Sequence, residues 1–292
     1  MSASGTGPKL RPHCRPRIGA RPRPEWGSAL IPKLIHYCAF GSPGTSPLLQ
    51  LCRQSWARYC PDYEVVEWND ETFSKYRNSF FDEAIAQRKF AFASDYARAL
   101  VLNEFGGIYL DTDVELRKPL DRYLPHSAFT GFERVGFPFT AVWGSEAGHP
   151  LARLVCEYYS DTPFSTITNT SIVSGMITKE FGIERDRDRL QVGKHGLAVY
   201  PSSTFCVDVD ECTAVHHFAG SWLDNRKKTI PYKQAMSILY HSNRIAEMEG
   251  LASPAMFSMI RDKVGIMNFL RFFLYRSLRH YGGNILRLAG LR

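Results

Sequence analysis

The stretch Gly106-Gly107-Ile108-Tyr109-Leu110-Asp111-Thr112-Asp113 decides how the rest of the chain is read. Two glycines stop the helical apolar pattern before them, three bulky residues read as a short buried strand, and an acidic pair follows at i and i+2. Side chains two apart in extended backbone project to the same side. Asp111 and Asp113 can therefore share one hard divalent cation through oxygen ligands. Beyond a strand's carboxyl end is also where ligands bind in open α/β sheets. Acidic pairs on turns are common and usually only solvated. This pair lies beside an apolar strand, where unpaired carboxylates are costly, and that gives it weight.

Working outward, Lys33 to Cys38 reads as a buried first strand, Pro47 to Tyr59 has helical apolar spacing, and Tyr63 to Trp68 reads as a second strand. One long helical pattern runs from Glu83 to Phe105. Further strands are expected at Ala128 to Glu133, Thr140 to Trp143, Leu197 to Tyr200 and Thr213 to Phe218, with a helix at Pro150 to Ser160. The alternation of strands and helices predicts an α/β fold, a mostly parallel sheet flanked by helices. Three regions are expected: a disordered, basic Pro/Arg-rich tail at 1–28, a catalytic domain at 29–235, and a basic amphipathic helical extension at 236–292.

Charge placement excludes one class of partner. Of 36 Lys and Arg, six fall in residues 1–24 and six in 263–292, leaving 24 against 29 Asp and Glu, a net of −5 for the middle. Nucleic-acid binding is not expected of such a core. The last segment mixes Phe, Leu and Tyr with Arg271, Arg276 and Arg279 and has no acid, the make-up of a helix lying on an anionic membrane surface; a helix packed on the catalytic domain fits it equally. No apolar run reaches the ~18–20 residues of a membrane span, and no signal-peptide pattern opens the chain. Seven cysteines without a Cys-x-x-Cys pair fit reduced thiols, and the expected location is cytoplasmic, peripheral on the membrane's cytoplasmic face.

Ala93-Ser94-Asp95-Tyr96-Ala97-Arg98, together with Gly106 to Asp113, resembles the signature of the DXD-containing sugar-binding glycosyltransferases (glycosyltransferase family 32), with Ile31 to Tyr37 and His216 to Trp222 similar to its opening and closing motifs. The resemblance spans roughly residues 31–222. It implies a GT-A fold, a nucleoside-diphosphate sugar donor (UDP first, GDP-mannose second), manganese or else magnesium, retention of anomeric configuration, and a glycan or glycolipid acceptor. By position, it implies that Asp113 ligates the metal directly and that Asp111 binds the ribose side and metal-bound water. The same resemblance implies that Asp95 and Arg98 hold donor sugar and diphosphate, that Ser94, His36, Tyr37 and Cys38 lie near the base, and that Tyr109 lies near the donor. Ser221 and Trp222 are candidates to close over the diphosphate, although a Trp is otherwise most often a packing residue. Where family members often carry a base-stacking Trp this chain has Ala39, with Phe40 or Trp68 as stand-ins.

Residue chemistry is compatible with these roles. Asp95 and Arg98, three apart, share one helix face, and a planar guanidinium matches phosphate or sugar oxygens. A late imidazole suits manganese. His216 and His217 are both candidates, and alternation allows only one to face the site. Glu133 reads as an acceptor-side carboxylate or a surface one. Competing readings are weaker. An aspartyl phosphatase continues its Asp-x-Asp with Gly and Thr, but Val114-Glu115 follow here. An EF-hand loop from Asp111 needs Gly and Glu where Leu116 and Arg122 stand. A binding protein with an inactive site is the remaining non-enzyme reading.

Overall fold

The computed structural model describes residues 31–41 and 46–219. The expected tail at 1–28, the extension at 236–292, and Ser221 and Trp222 lie outside the described residues. β1 (Leu34–Cys38) leads to α1 (Pro47–Tyr59), β2 (Glu64–Trp68), α2 (Ser79–Ala86), α3 (Phe90–Phe105) and β3 (Gly107–Leu110). Then come β4 (Val114–Leu116), β5 (Ala128–Gly131), β6 (Val142–Ser145), α4 (Pro150–Asp161), α5 (Asn169–Phe181), β7 (Gln191–Val192), β8 (Leu197–Tyr200), α6 (Ser202–Phe205) and β9 (Ala214–His216).

A seven-stranded sheet has the order β2-β1-β3-β6-β5-β8-β7. β1 pairs parallel with β2 and β3, and β5 parallel with β8, while β6 runs antiparallel to β3 and β5 and β7 antiparallel to β8. Five strands thus share one direction, and the expectation of a mostly parallel sheet flanked by helices is met. One apolar core, with Phe81, Leu102, Val155 and Ile177, lies beneath α2 to α5; a second, with Trp56, Tyr123 and Phe129, fills the opposite face under α1.

Local chemistry sets the helix starts. Ser46 accepts a hydrogen bond from Leu49 N ahead of Pro47, and His149 Nδ1 accepts from Leu151 N ahead of Pro150. The single helix expected from Glu83 to Phe105 is instead two, α2 and α3. Arg88 between them takes a left-handed φ of 56°, and no glycine or proline signals the break.

The turn into β3 is built around glycine. Gly107 has φ of 105°, and a Cβ there would stand 2.9 Å from both His36 Nε2 and Leu34 O. His36 is 1% exposed; its Nε2 donates to Gly106 O at 2.8 Å, and its Nδ1 accepts from Trp68 Nε1 at 3.2 Å. Burial lowers its pKa to about 4 even though the carbonyl opposes that. A neutral imidazole therefore ties β1, β2 and the end of α3 together.

A short second sheet pairs β4 with β9 antiparallel, Val114 opposite His216. It brings chain about a hundred residues downstream onto the acidic turn. Among the described residues no helix is long and apolar enough to cross a membrane.

Candidate active site

The turn after β3 is held on both sides: Asp111 N donates to Ala141 O at 3.1 Å and Val114 N to Asp111 O at 3.0 Å. From the other direction, the β9 segment delivers His217 N to Asp113 O (2.9 Å) and Ala219 N to Asp113 Oδ2 (2.8 Å). His216 Nε2 lies 3.3 Å from Asp113 Oδ1. One ligand atom from each of Asp111, Asp113 and His216 falls within 4.8 Å of the others. Two carboxylate oxygens and one imidazole nitrogen are a donor set that fits a divalent ion such as manganese.

The two histidines part company here. His217 Nε2 meets Glu115 Oε2 at 2.8 Å, outside the cluster, and His216 alone faces Asp113. Burial works to raise the Asp113 carboxyl, but the facing imidazole and the Ala219 N–H outweigh it and hold it at about 2. Burial would lower His216, yet the Asp113 carboxylate drives it well above the usual imidazole range.

α3 supplies the second half of the site. Arg98 Nη2 lies 3.0 Å from Asp95 Oδ1 and 3.1 Å from Asp111 Oδ1, so one guanidinium bridges the helix carboxylate and the acidic turn. Its guanidinium carbon sits over the Tyr109 ring, 4.6 Å from the centroid, and its Nε donates to Ser94 O at 3.3 Å. Asp95 and Arg98 are 7% and 8% exposed. Burial pushes the Asp95 carboxyl up to about 6 against the pull of Arg98, with the Asn169 amide alongside. The buried Cys38 thiol, pushed up to about 12 by burial, adjoins Tyr109 and Ser94. Ser94 Oγ itself donates to Phe90 O at 3.0 Å.

Other expected residues have side chains engaged within the fold. The Tyr37 hydroxyl donates to Glu67 and its ring packs on Trp56, on the opposite face of β1 from Cys38. The side chains of His36 and Tyr37 are thus occupied within the fold, and of the β1 candidates only the Cys38 side chain reaches the Arg98 group. Phe40 and Trp68 need correcting as stand-ins for a base-stacking Trp. Phe40 packs against Phe73 and Phe81, and Trp68 stacks on Phe105 with its edge to Tyr76, so both are core residues at 4% and 7% exposure.

Two further features border the site. Glu133, just past β5, receives the Thr170 hydroxyl at 3.4 Å; burial raises its carboxyl, and the fields of His216 and Asp111 reach it. α5 was not anticipated, although Thr168-Asn169-Thr170-Ser171 ahead of Ile172-Val173 carries a helix-start signal.

Residues 46–130 match the family model described as the glycosyltransferase sugar-binding region containing DXD motif, so the family resemblance read from Ala93–Arg98 and Gly106–Asp113 is borne out. The chain is 30% identical over 139 residues to a mannosyl phosphorylinositol ceramide synthase of Saccharomyces cerevisiae, covering 45% of this chain and 34% of that protein. It is 29% identical over 128 residues to inositol phosphoceramide mannosyltransferase 3 of Schizosaccharomyces pombe, covering 42% and 36%. The chain thus spans about a third of the length of the curated relatives it matches. Among solved structures it resembles the PaToxG glycosyltransferase (TM-score 0.41, 19% identity, 51% of this chain and 69% of that one). It also resembles the galactosyltransferase LgtC (TM-score 0.37, 14% identity, 72% and 95%).

Proposed function

We propose that this chain, with a DXD sugar-binding region at residues 46–130 as the premise, is a metal-dependent GT-A glycosyltransferase that moves a hexose from a nucleoside-diphosphate sugar to a saccharide or lipid-linked acceptor. The observation that carries the reading is the convergence of Asp111, Asp113 and His216 within 4.8 Å beside an arginine that bridges Asp95 and Asp111. Asp111, Asp113 and His216 would hold the cation, which when bound offsets the charge of the departing nucleoside diphosphate.

The chain's own residues do the rest. Arg98, fixed by two carboxylates and the Tyr109 face, offers its remaining N–H groups to diphosphate or sugar oxygens without having to be ordered first. Asp95, a buried carboxyl, accepts hydrogen bonds from sugar hydroxyls and so orients the ring relative to the acidic turn. The relatives' names concern mannosyl transfer, which directs the first assay to GDP-mannose, with UDP-hexoses beside it. A lipid-linked acceptor at an anionic surface belongs to the same proposal, motivated by the acid-free basic segment 263–292.

The test is release of GDP or UDP from these donors by the purified full chain, with manganese and after exhaustive chelation. Metal-dependent release that Asp113→Ala abolishes is expected. Full turnover after chelation overturns the metal assignment, and no binding of either nucleotide with manganese overturns the donor class.

A further inference from the structure

Asp95 has two companions whose hydrogen-bonding capacity is not filled by the fold. Asn169, the first residue of α5, is 6% exposed, and its side chain reaches the Asp95 carboxyl closely enough to favour the ionised form, yet neither its amide nitrogen nor its amide oxygen has a partner at full hydrogen-bond geometry. Tyr159, on α4 and 1% exposed, feels the Asp95 charge, and its hydroxyl also lacks a partner. Buried polar atoms are normally paired, and each unpaired one costs stability. Their clustering around one carboxyl is the signature of a place shaped for a polar occupant.

α5 adds to this. It is 13 residues long, and its N-cap Thr168 makes no side-chain cap bond. Within its first turn, Ser171 N and Ile172 N both bond to Thr168 O, and the Thr170 hydroxyl turns to Glu133. The start of α5 thus runs between the Asp95–Arg98 pair and Glu133, which senses His216. A carboxamide has one acceptor and two donor hydrogens, and next to a carboxylate it matches neighbouring hydroxyls that each give one hydrogen bond and receive another.

Resting on the glycosyltransferase reading above, we propose that Asn169, at the start of α5, is a specificity-determining residue that hydrogen-bonds hydroxyls of the transferred hexose together with Asp95. On that reading the cation falls to Asp111, Asp113 and His216 and the diphosphate to Arg98, which leaves Asn169 to the sugar alone. Sites that must bond a hydroxyl reject analogues lacking it, because the protein's own polar groups are then left unpaired.

The experiment compares the full chain with Asn169→Ala and Asn169→Ser, with manganese present. GDP-mannose, UDP-glucose and UDP-galactose are tried first, then the 2-, 3-, 4- and 6-deoxy analogues of whichever donor turns over. Binding of free GDP or UDP is measured alongside. Wild-type kcat/KM should fall at least tenfold for one or two of the deoxy donors. In both variants the intact donor should already show that loss, removal of the same hydroxyl should cost little more, and binding of the free diphosphate should be unchanged. Equal losses for every deoxy donor in wild type and variants overturn the inference and leave Asn169 with a buried water. Asn169→Ser keeps the test open if Asn169→Ala fails to fold. Failure of wild type to bind GDP or UDP with manganese is a different outcome: it removes the underlying function, and this assignment with it.

Discussion

His216 Nε2 stands 3.3 Å from Asp113 Oδ1, while the adjacent His217 turns away to Glu115 at 2.8 Å. The register of β4 on β9 sets Val114 opposite His216 and so puts the next side chain, His217, on the Glu115 face, while Asp113, in the turn ahead of β4, brings its carboxylate to His216. The two imidazoles should therefore fail differently when removed. His216→Ala should weaken manganese binding at least about tenfold, the lower end for perturbing a metal's ligand sphere. His217→Ala should leave manganese affinity within a factor of two or so and instead cost about 1–2 kcal/mol of stability, the scale of a lost charge-assisted hydrogen bond. Manganese titration followed by paramagnetic resonance, with thermal melts of the same proteins, separates the two. Equal loss of metal affinity in both variants would reverse the assignment.

Arg98 contacts Asp95 and Asp111 through one nitrogen and has its guanidinium carbon over the Tyr109 ring. An ammonium is a point charge without a plane to place over the ring and without further nitrogens left to offer a ligand. Arg98→Lys should lower kcat/KM by at least a hundredfold, about 3 kcal/mol, while the circular dichroism spectrum stays that of wild type. Wild-type kinetics would make Arg98 an ordinary intrahelical ion-pair residue.

Asp95 links function to stability through pH. Its carboxyl is raised to about 6 in the fold, above the usual carboxylate range, chiefly by burial. Between about pH 4 and pH 6 the native state binds the proton that the unfolded chain has released, so this group's contribution to stability falls as pH rises through that window and is flat above it. The cost at pH 7 is on the order of 3 kcal/mol. Asp95→Asn should accordingly stabilise the protein at pH 7, with the gain shrinking as pH drops toward 4, even as donor turnover is lost. Urea unfolding at pH 4, 5, 6 and 7 checks this, and a pH-independent difference would reject it.

His36 has the opposite slope. Its native pKa is lowered to about 4, so below about 6.5 the unfolded chain takes up a proton that the native imidazole refuses. Stability should fall as pH drops from about 6.5 to about 4, by up to about 3 kcal/mol. His36→Gln keeps a donor for Gly106 O and removes the titration, so its unfolding free energy should lose that part of the acid dependence. An unchanged slope over that range would assign the acid sensitivity to other groups.

Much of this protein is legible in local pattern. The apolar run at Leu34 to Cys38, the Ser46-Pro47 helix start, the Leu197 to Tyr200 strand and the acidic pair after Gly106-Gly107 all stand where periodicity and turn chemistry put them, because each depends on neighbours within a few residues. Pairing over long distance is not written that way. The choice of His216 over His217 depends on how β9 registers against β4, about a hundred residues earlier. Trp68 sits in the core because Phe105 and Tyr76, from other elements, close on it. The break at Arg88 has no local signal, since a non-glycine residue takes positive φ only when the packing of two helices compensates the strain. Asn169 beside Asp95 is likewise decided by tertiary structure: the sequence specifies a polar helix start, and only the folding of α5 against α3 and α4 places its amide next to a buried carboxyl. The sequence by itself determined six of the seven strands of the large sheet and the acidic turn, whose causes are local, but not the two-residue β7; which side chains share the site was decided only by strand register and helix packing, whose free energy exists once distant segments meet.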